Sequence, residues 1–184
     1  MNYEFGAEIL DEFLSLPRRA QELLVAYMFR KDINASELLS FIMIRNCIAG
    51  ESPIEVIFSM AYELVLYENG LPYSELFSLE SQVPFEAAGK KYIADYVIAT
   101  GISASYEVEN DLTLIIECDG HDFHEKTKKQ VEYRNNRDFD LKSIGCDILH
   151  FSGSQIYKDP IKCASDVLVY ALSKVGKITE KNYR

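Results

Sequence analysis

Asp95, Glu117 and Asp119 are the residues of this sequence best placed to do chemistry, because each stands in a segment otherwise suited to a buried sheet. Side chains alternate across a strand. Glu117 and Asp119 therefore share one face of the stretch Leu112–Asp119 with Ile115, while Leu114, Ile116 and Cys118 face the other way. Burying an unpaired carboxylate is costly, so two of them at one strand end demand a cation, a metal ion or solvent. Asp95 repeats the theme among Tyr92, Ile93, Tyr96, Val97 and Ile98. If the two strands are antiparallel neighbours, Asp95 lies beside Glu117. An Asp, a Glu and a backbone carbonyl make a hard oxygen site suited to Mg2+ or Mn2+. The plainer alternative pairs the carboxylates with Lys91, Arg134 or Arg137.

His121 and His124 extend the run to Glu-x-Asp-x-His-x-x-His, which reads superficially as a zinc site. Zinc prefers ligands on a rigid element, whereas these four span a strand end, Gly120 and a helix start. Downstream, Lys126, Lys128, Lys129, Arg134, Arg137 and Lys142 make a basic segment that Glu125, Glu132, Asp138 and Asp140 largely balance. An ordinary solvated helix accounts for that balance. The three N-terminal lysines also lie next to the carboxylates, where a phosphate would sit.

The elements that must position these groups follow from period and punctuation. Residues 7–29 carry apolar residues at helical spacing, with Pro17 ending or kinking the first segment. Leu38 to Ile48 is a second helical stretch. The first 50 residues thus form a helical appendage, and residues 51–184 the main domain. Ser52-Pro53-Ile54-Glu55 opens a helix, with Ser52 as N-cap and Pro53 in first position, and Asn69-Gly70 stops it. Leu79 to Phe85 is extended, Ala87-Ala88-Gly89-Lys90 is a turn, Lys91 to Ala99 is a strand, and 101–110 is a loop. After the apolar strand ending at Asp119, Glu125 to Ile144 is helical, Asp147 to Phe151 is a short buried strand, and Pro160 to Val175 is a last helix. Three strands, a helix and a further strand imply an α/β fold with a mixed four-stranded sheet flanked by helices.

The chain has 184 residues, 48% of them hydrophobic and 26% charged, an ordinary globular balance that excludes a disordered chain or a fibre. No apolar run is long enough to span a bilayer, so no membrane partner is expected. The acidic start lacks the pattern of a secretory signal. Four cysteines stand far apart without a C-x-x-C pair, which points to a reducing, cytoplasmic setting. Net charge is −10, but residues 51–119 hold 13 acids against 2 bases while residues 120–184 hold 9 acids against 12 bases. The sum argues against a general nucleic-acid coat protein. The concentrated middle is either a solvated surface or a place that gathers divalent metal.

Asp95, 21 intervening residues and then Glu117-Cys118-Asp119 resemble the metal-binding core of the PD-(D/E)xK, or restriction-endonuclease-like, nucleases. Ser52-Pro53-Ile54-Glu55, Gln82, Tyr92 to Tyr96, Ile116 to Gly120, Phe123-His124, Arg137-Asp138, Leu141, Gly145 and Leu149-His150-Phe151 follow in the order seen in uncharacterised relatives of the very-short-patch repair endonuclease. The resemblance covers roughly residues 52–172. It implies a restriction-endonuclease-like fold and metal-dependent hydrolysis of DNA, in repair, restriction or mobile-element and phage-related processes. By that likeness Asp95 and Glu117 hold Mg2+ or Mn2+, and Glu55 assists as an outer-sphere or second-metal ligand. Asp119, His124 and Lys128 position the water or stabilise the charged phosphate. Two departures stand out: Ala94 replaces the usual proline, and Asp119 replaces the lysine expected two residues after Glu117. Lys128, one turn beyond His124 on a helix running from Glu125, is the expected substitute, with Lys126 and Lys129 as further DNA contacts. The alternative is an inactive nuclease-fold module that binds DNA or protein. Residues 1–50 are the expected docking surface for a homodimer or larger assembly.

Overall fold

The computed structural model describes residues 11, 13–31, 50–71, 75–103, 105–120 and 127–180. Pro17 separates a short helical stretch at 13–15 from α1 (Arg18–Lys31), as its missing N–H and fixed φ require. Leu24 and Tyr27 of α1 are buried in the same apolar cluster as α2 (Pro53–Glu68). The described part of residues 1–50 therefore packs as part of the main core. Ser52 caps α2 from an extended conformation, its Oγ accepting the Glu55 N–H at 3.3 Å. Every residue from Glu55 to Leu66 is buried, because α2 is covered all round.

Next come β1 (Glu80–Ala87) and β2 (Lys90–Ala99), an antiparallel hairpin. Its two-residue turn places Ala88 at φ 51 and Gly89 at φ 70, the paired left-handed conformation that matches strand twist. After a single 3-10 turn (Thr100–Ile102) and β3 (Tyr106–Val108) comes β4 (Thr113–Asp119). Then α3 (Lys128–Ser143) carries the chain over to β5 (Asp147–Ser152), which lies parallel to β4. α4 (Gly153–Lys158), α5 (Pro160–Val175) and β6 (Ile178–Glu180) follow. The main sheet has the order β1-β2-β4-β5, and β3 pairs with β6 as a separate ribbon. The architecture is thus α/β, a mixed four-stranded sheet flanked by helices.

The two faces carry separate apolar clusters. On one, Tyr96, Ile98, Leu114, Ile116 and Phe151 pack with α1, α2, α4 and α5. On the other, Tyr92, Ala94, Val97, Ile115 and Ile148 pack with Leu141 of α3. Strict alternation along β2 would put Tyr92, Ala94, Tyr96 and Ile98 on one face. The structure divides them, so the alternation slips at Asp95. Across the hairpin, Ser81 pairs with Tyr96 and Val83 with Ala94, which leaves Gln82 opposite Asp95. Gln82 has φ 53, an uncommon left-handed conformation for a non-glycine residue, at the position where the hairpin changes face.

Three outcomes depart from the sequence reading. The loop expected at 101–110 contains β3, which finds its partner in β6. The helix expected from Glu125 begins at Lys128, because Thr127 is an extended N-cap in a reciprocal capping box with Gln130. Helical spacing on α3 therefore cannot place His124 one turn before Lys128. Last, the short α4 follows directly on β5. Among the described residues, Cys118, Cys146 and Cys163 are free thiols, and no helix is long and apolar enough to cross a membrane.

Candidate active site

β2 and β4 share hydrogen-bonded register only from Tyr96↔Ile116 to Ala99↔Thr113. Just beyond that last pair, Asp95 bonds the backbone of Cys118 and feels the charge of Glu117. From there β2 continues alone with β1, while β4 continues with β5 through Glu117↔His150 and Asp119↔Ser152. The sheet forks, and both carboxylates sit in the fork.

Each has a defined partner. Asp95 Oδ2 accepts the backbone N–H of Cys118 at 2.7 Å. Arg137 Nη2 donates to Glu117 Oε1 at 2.5 Å and to the Ile93 carbonyl at 2.9 Å. The side chains of Arg137 and Glu117 are only 12% and 10% exposed, so this is a well-shielded pair. Arg137 and Asp138 fasten α3 to the sheet, and for Glu117 the plainer alternative, pairing with Arg137, is the one seen. One guanidinium does not offset three acids, however. Burial, then the neighbouring Glu117 and Glu55, push the Asp95 carboxyl up to about 7, against the Cys118 N–H and Arg137, which favour the charged form.

Glu55 approaches the fork from α2. Its Oε1 accepts from Ser52 Oγ at 2.7 Å, and its Oε2 accepts from the Glu51 N–H at 2.8 Å and from Gln82 Nε2 at 3.2 Å. Tyr96 Oη donates to the Glu55 carbonyl at 3.0 Å. Glu55 is thus both a capping acid and a buried carboxylate bonded to the residue opposite Asp95. Gly50 must be glycine here, since an added Cβ would lie 2.5 Å from Glu55 Cβ and 2.8 Å from Tyr96 Oη.

Asp119 belongs to a second chain of contacts. Its Oδ2 lies 3.2 Å from His150 Nδ1, and His150 Nε2 lies 3.0 Å from Asp138 Oδ2 of α3. The hydrogen bond to Asp119, then the charge and hydrogen bond of Asp138, raise the His150 pKa against its burial. The histidine ties β4, β5 and α3 together. Sequence reasoning attached no role to His150. The signal was a polar residue between Leu149 and Phe151, meaningful only once the parallel β4–β5 register was known.

A cleft of about 370 Å3 opens beside this chain, lined by Asp119 and His150 and by Lys129, Gln130, Tyr133, Arg134 and Arg137 of α3. Lys129, one of the expected DNA contacts, borders it. Lys128 is the exposed first residue of α3 and is not among the lining residues. His121, His124 and Lys126 lie outside the described residues. Among the described residues no group of three or more His, Cys, Asp and Glu side chains is arranged to hold a metal ion. The site brings Glu55, Asp95 and Glu117 to the fork, and sets Asp119 two residues on from Glu117 at the neighbouring cleft. Compared with protein families, curated proteins and solved structures, the chain matches none.

Proposed function

We propose that this chain is a metal-dependent DNA endonuclease with a restriction-endonuclease-like fold, hydrolysing phosphodiester bonds with Mg2+ or Mn2+. The observation that carries the reading is that Asp95, bonded to the Cys118 N–H, interacts with Glu117 just beyond the point where the β2–β4 ladder ends. The donor set suits such an ion. Cys118 and Arg137 engage one oxygen of each carboxylate, and Asp95 Oδ1 and Glu117 Oε2 are hard donors on the same fork. Burial, then the charges of Glu117 and Glu55, raise the Asp95 pKa, and a divalent cation would favour its charged form. When bound, the ion would polarise a phosphodiester and lower the pKa of a water.

The remaining roles belong to the chain. Glu55, held by Ser52, Glu51 and Gln82, adds negative charge behind Asp95 as an outer-sphere or second-metal carboxylate. Asp119, aimed by His150, orients the attacking water. For His124, Lys126, Lys128 and Lys129 the proposed role is contact with the phosphate and its developing charge, and of these Lys129 borders the cleft. The test is nicking of supercoiled plasmid by the purified chain with Mg2+ or Mn2+. Nicking by the wild type and its loss in Asp95→Asn and Glu117→Gln is the expected result.

One observation favours a second reading, an inactive nuclease-fold module that binds DNA. Arg137 already supplies a cation to Glu117, and Asp119 stands where the resemblance leads one to expect lysine. DNA binding without nicking on any DNA form, and without a thermal shift on adding Mg2+ or Mn2+, would select it.

A further inference from the structure

The row of α3 that faces the ends of β4 and β5 has an unusual composition. Positions 130, 133, 134 and 137 follow the i, i+3, i+4, i+7 spacing that ordinarily carries apolar residues onto a sheet. Here they are Gln130, Tyr133, Arg134 and Arg137, and all four line the cleft. Buried residues of α3 come only at its far end, Asp140 and Leu141. There Tyr92 Oη and Lys90 Nζ hold Asp140 Oδ2 at 2.6 Å and 2.9 Å. The helix is thus fastened at its C-terminal half, while its first turns stand over a space rather than over an apolar core. That space, about 370 Å3, falls at the lower end of the roughly 300–1,000 Å3 typical of small-ligand pockets.

The chemistry of the row selects the occupant. Lys129 and Arg134 favour an anion at the α3 side of the cleft, whereas Arg137 is paired with Glu117 and Asp119 lies at the opposite border. Tyr133, 61% exposed, lines the same cleft and offers a flat aromatic surface. A nucleotide joins an anionic group to a ring, and on the nuclease reading it is the occupant that fits. In a paired duplex the base faces are covered by their neighbours, and only an unpaired base offers one to an aromatic side chain.

We infer that the α3 cleft holds one unpaired nucleotide of a DNA strand, its base against Tyr133 and its phosphate toward Lys129 and Arg134. The inference rests on the nuclease reading for its choice of DNA, and it narrows the substrate to DNA with a single-stranded or extruded nucleotide beside the scissile bond. The cleft borders Asp119, two residues on from Glu117, so a nucleotide seated there places its neighbouring phosphodiester toward the fork.

The test is equilibrium binding by fluorescence anisotropy with the full chain, in EDTA at one fixed salt concentration. The probes are a fully paired duplex, the same duplex with one bulged nucleotide, and the single strand. The bulged and single-stranded probes are expected to bind at least about fivefold tighter than the paired duplex, a discrimination in keeping with one base–aromatic stack. Tyr133→Ala should erase that preference while Tyr133→Phe keeps it, with both variants melting at the wild-type temperature. Equal affinity for paired and unpaired probes overturns the inference. So does a preference that survives Tyr133→Ala, or an absence of binding to all three probes. Because no cleavage is read, the two proposals fail separately. Preference without plasmid nicking removes the nuclease reading alone, and nicking without preference removes the cleft assignment alone.

Discussion

Cys118 donates its backbone N–H to Asp95 Oδ2 at 2.7 Å, so a side-chain carboxylate closes the β2–β4 ladder where a main-chain carbonyl would otherwise continue it. An asparagine can accept the same bond without the charge. Asp95→Asn is therefore expected to fold normally, to lose metal-dependent nicking, and to lose any rise in melting temperature on adding Mg2+. A mutant that still nicks plasmid would remove Asp95 from the metal site.

Stability should fall as pH rises from mildly acidic to neutral. Asp95 is raised from 3.8 to about 7, and burial raises Glu63 of α2 from 4.5 to about 7. Between the unfolded and folded values the folded chain holds more protons than the unfolded one, so unfolding free energy decreases with pH across that window and levels off above it. Urea midpoints measured from pH 4.5 to 8 should show the decline. Asp95→Asn and Glu63→Gln should each flatten part of it, and Mg2+ should flatten only the share due to Asp95.

The Arg137–Glu117 pair is shielded and also anchors Ile93. Arg137→Met should destabilise the fold by about 3 kcal/mol, because it leaves a buried carboxylate without its cation. Adding Glu117→Gln should recover part of that loss, a coupling that a double-mutant cycle in urea would measure. Strict additivity of the two changes would mean that the contact contributes nothing.

Gly50→Ala should cost about 1–3 kcal/mol through crowding of Glu55 and Tyr96. On the nuclease reading it should also lower nicking beyond what the loss of folded protein explains, since Glu55 must move. Activity per folded molecule, taken from nicking and circular dichroism on the same sample, separates the two effects.

Lys128 and Lys129 are adjacent and exposed, and only Lys129 lines the cleft. Alanine at either position should change stability by less than about 0.5 kcal/mol. Lys129→Ala is expected to reduce nicking at least tenfold and Lys128→Ala less. The reverse order would return the phosphate contact to Lys128.

Much of this arrangement was readable from local signals. Ser52-Pro53, Asn69-Gly70 and Gly145 punctuate helices by backbone chemistry that needs no tertiary context, and the bounds of α5 match their expectation at Pro160 and Val175. The apolar runs of β2 and β4 marked them as strands, and they are antiparallel neighbours. What escaped was tertiary. β3 and β6 are three residues each, and β6 is exposed throughout, so neither has a burial pattern until the other is beside it. The change of face at Asp95 depends on Gln82 across the hairpin. The Asp119–His150–Asp138 contacts need the parallel register of β4 with β5 and the angle of α3, neither of which is written in spacing. The cleft escaped for the same reason: a polar row on a helix reads as a solvated face until the position of that face over the sheet ends is known.

Mechanically, the forked sheet is two ribbons joined along a seam of four residue pairs, Tyr96 to Ala99 against Thr113 to Ile116. So short a seam offers little resistance to torsion, and a ligand wedged between Asp95 and Glu117 would twist one ribbon against the other. Arg137 spans the open end, gripping Ile93 O on one ribbon and Glu117 on the other. The load of any such opening falls on that guanidinium and on the Cys118 N–H bond to Asp95, the two rivets that set the compliance of the mouth.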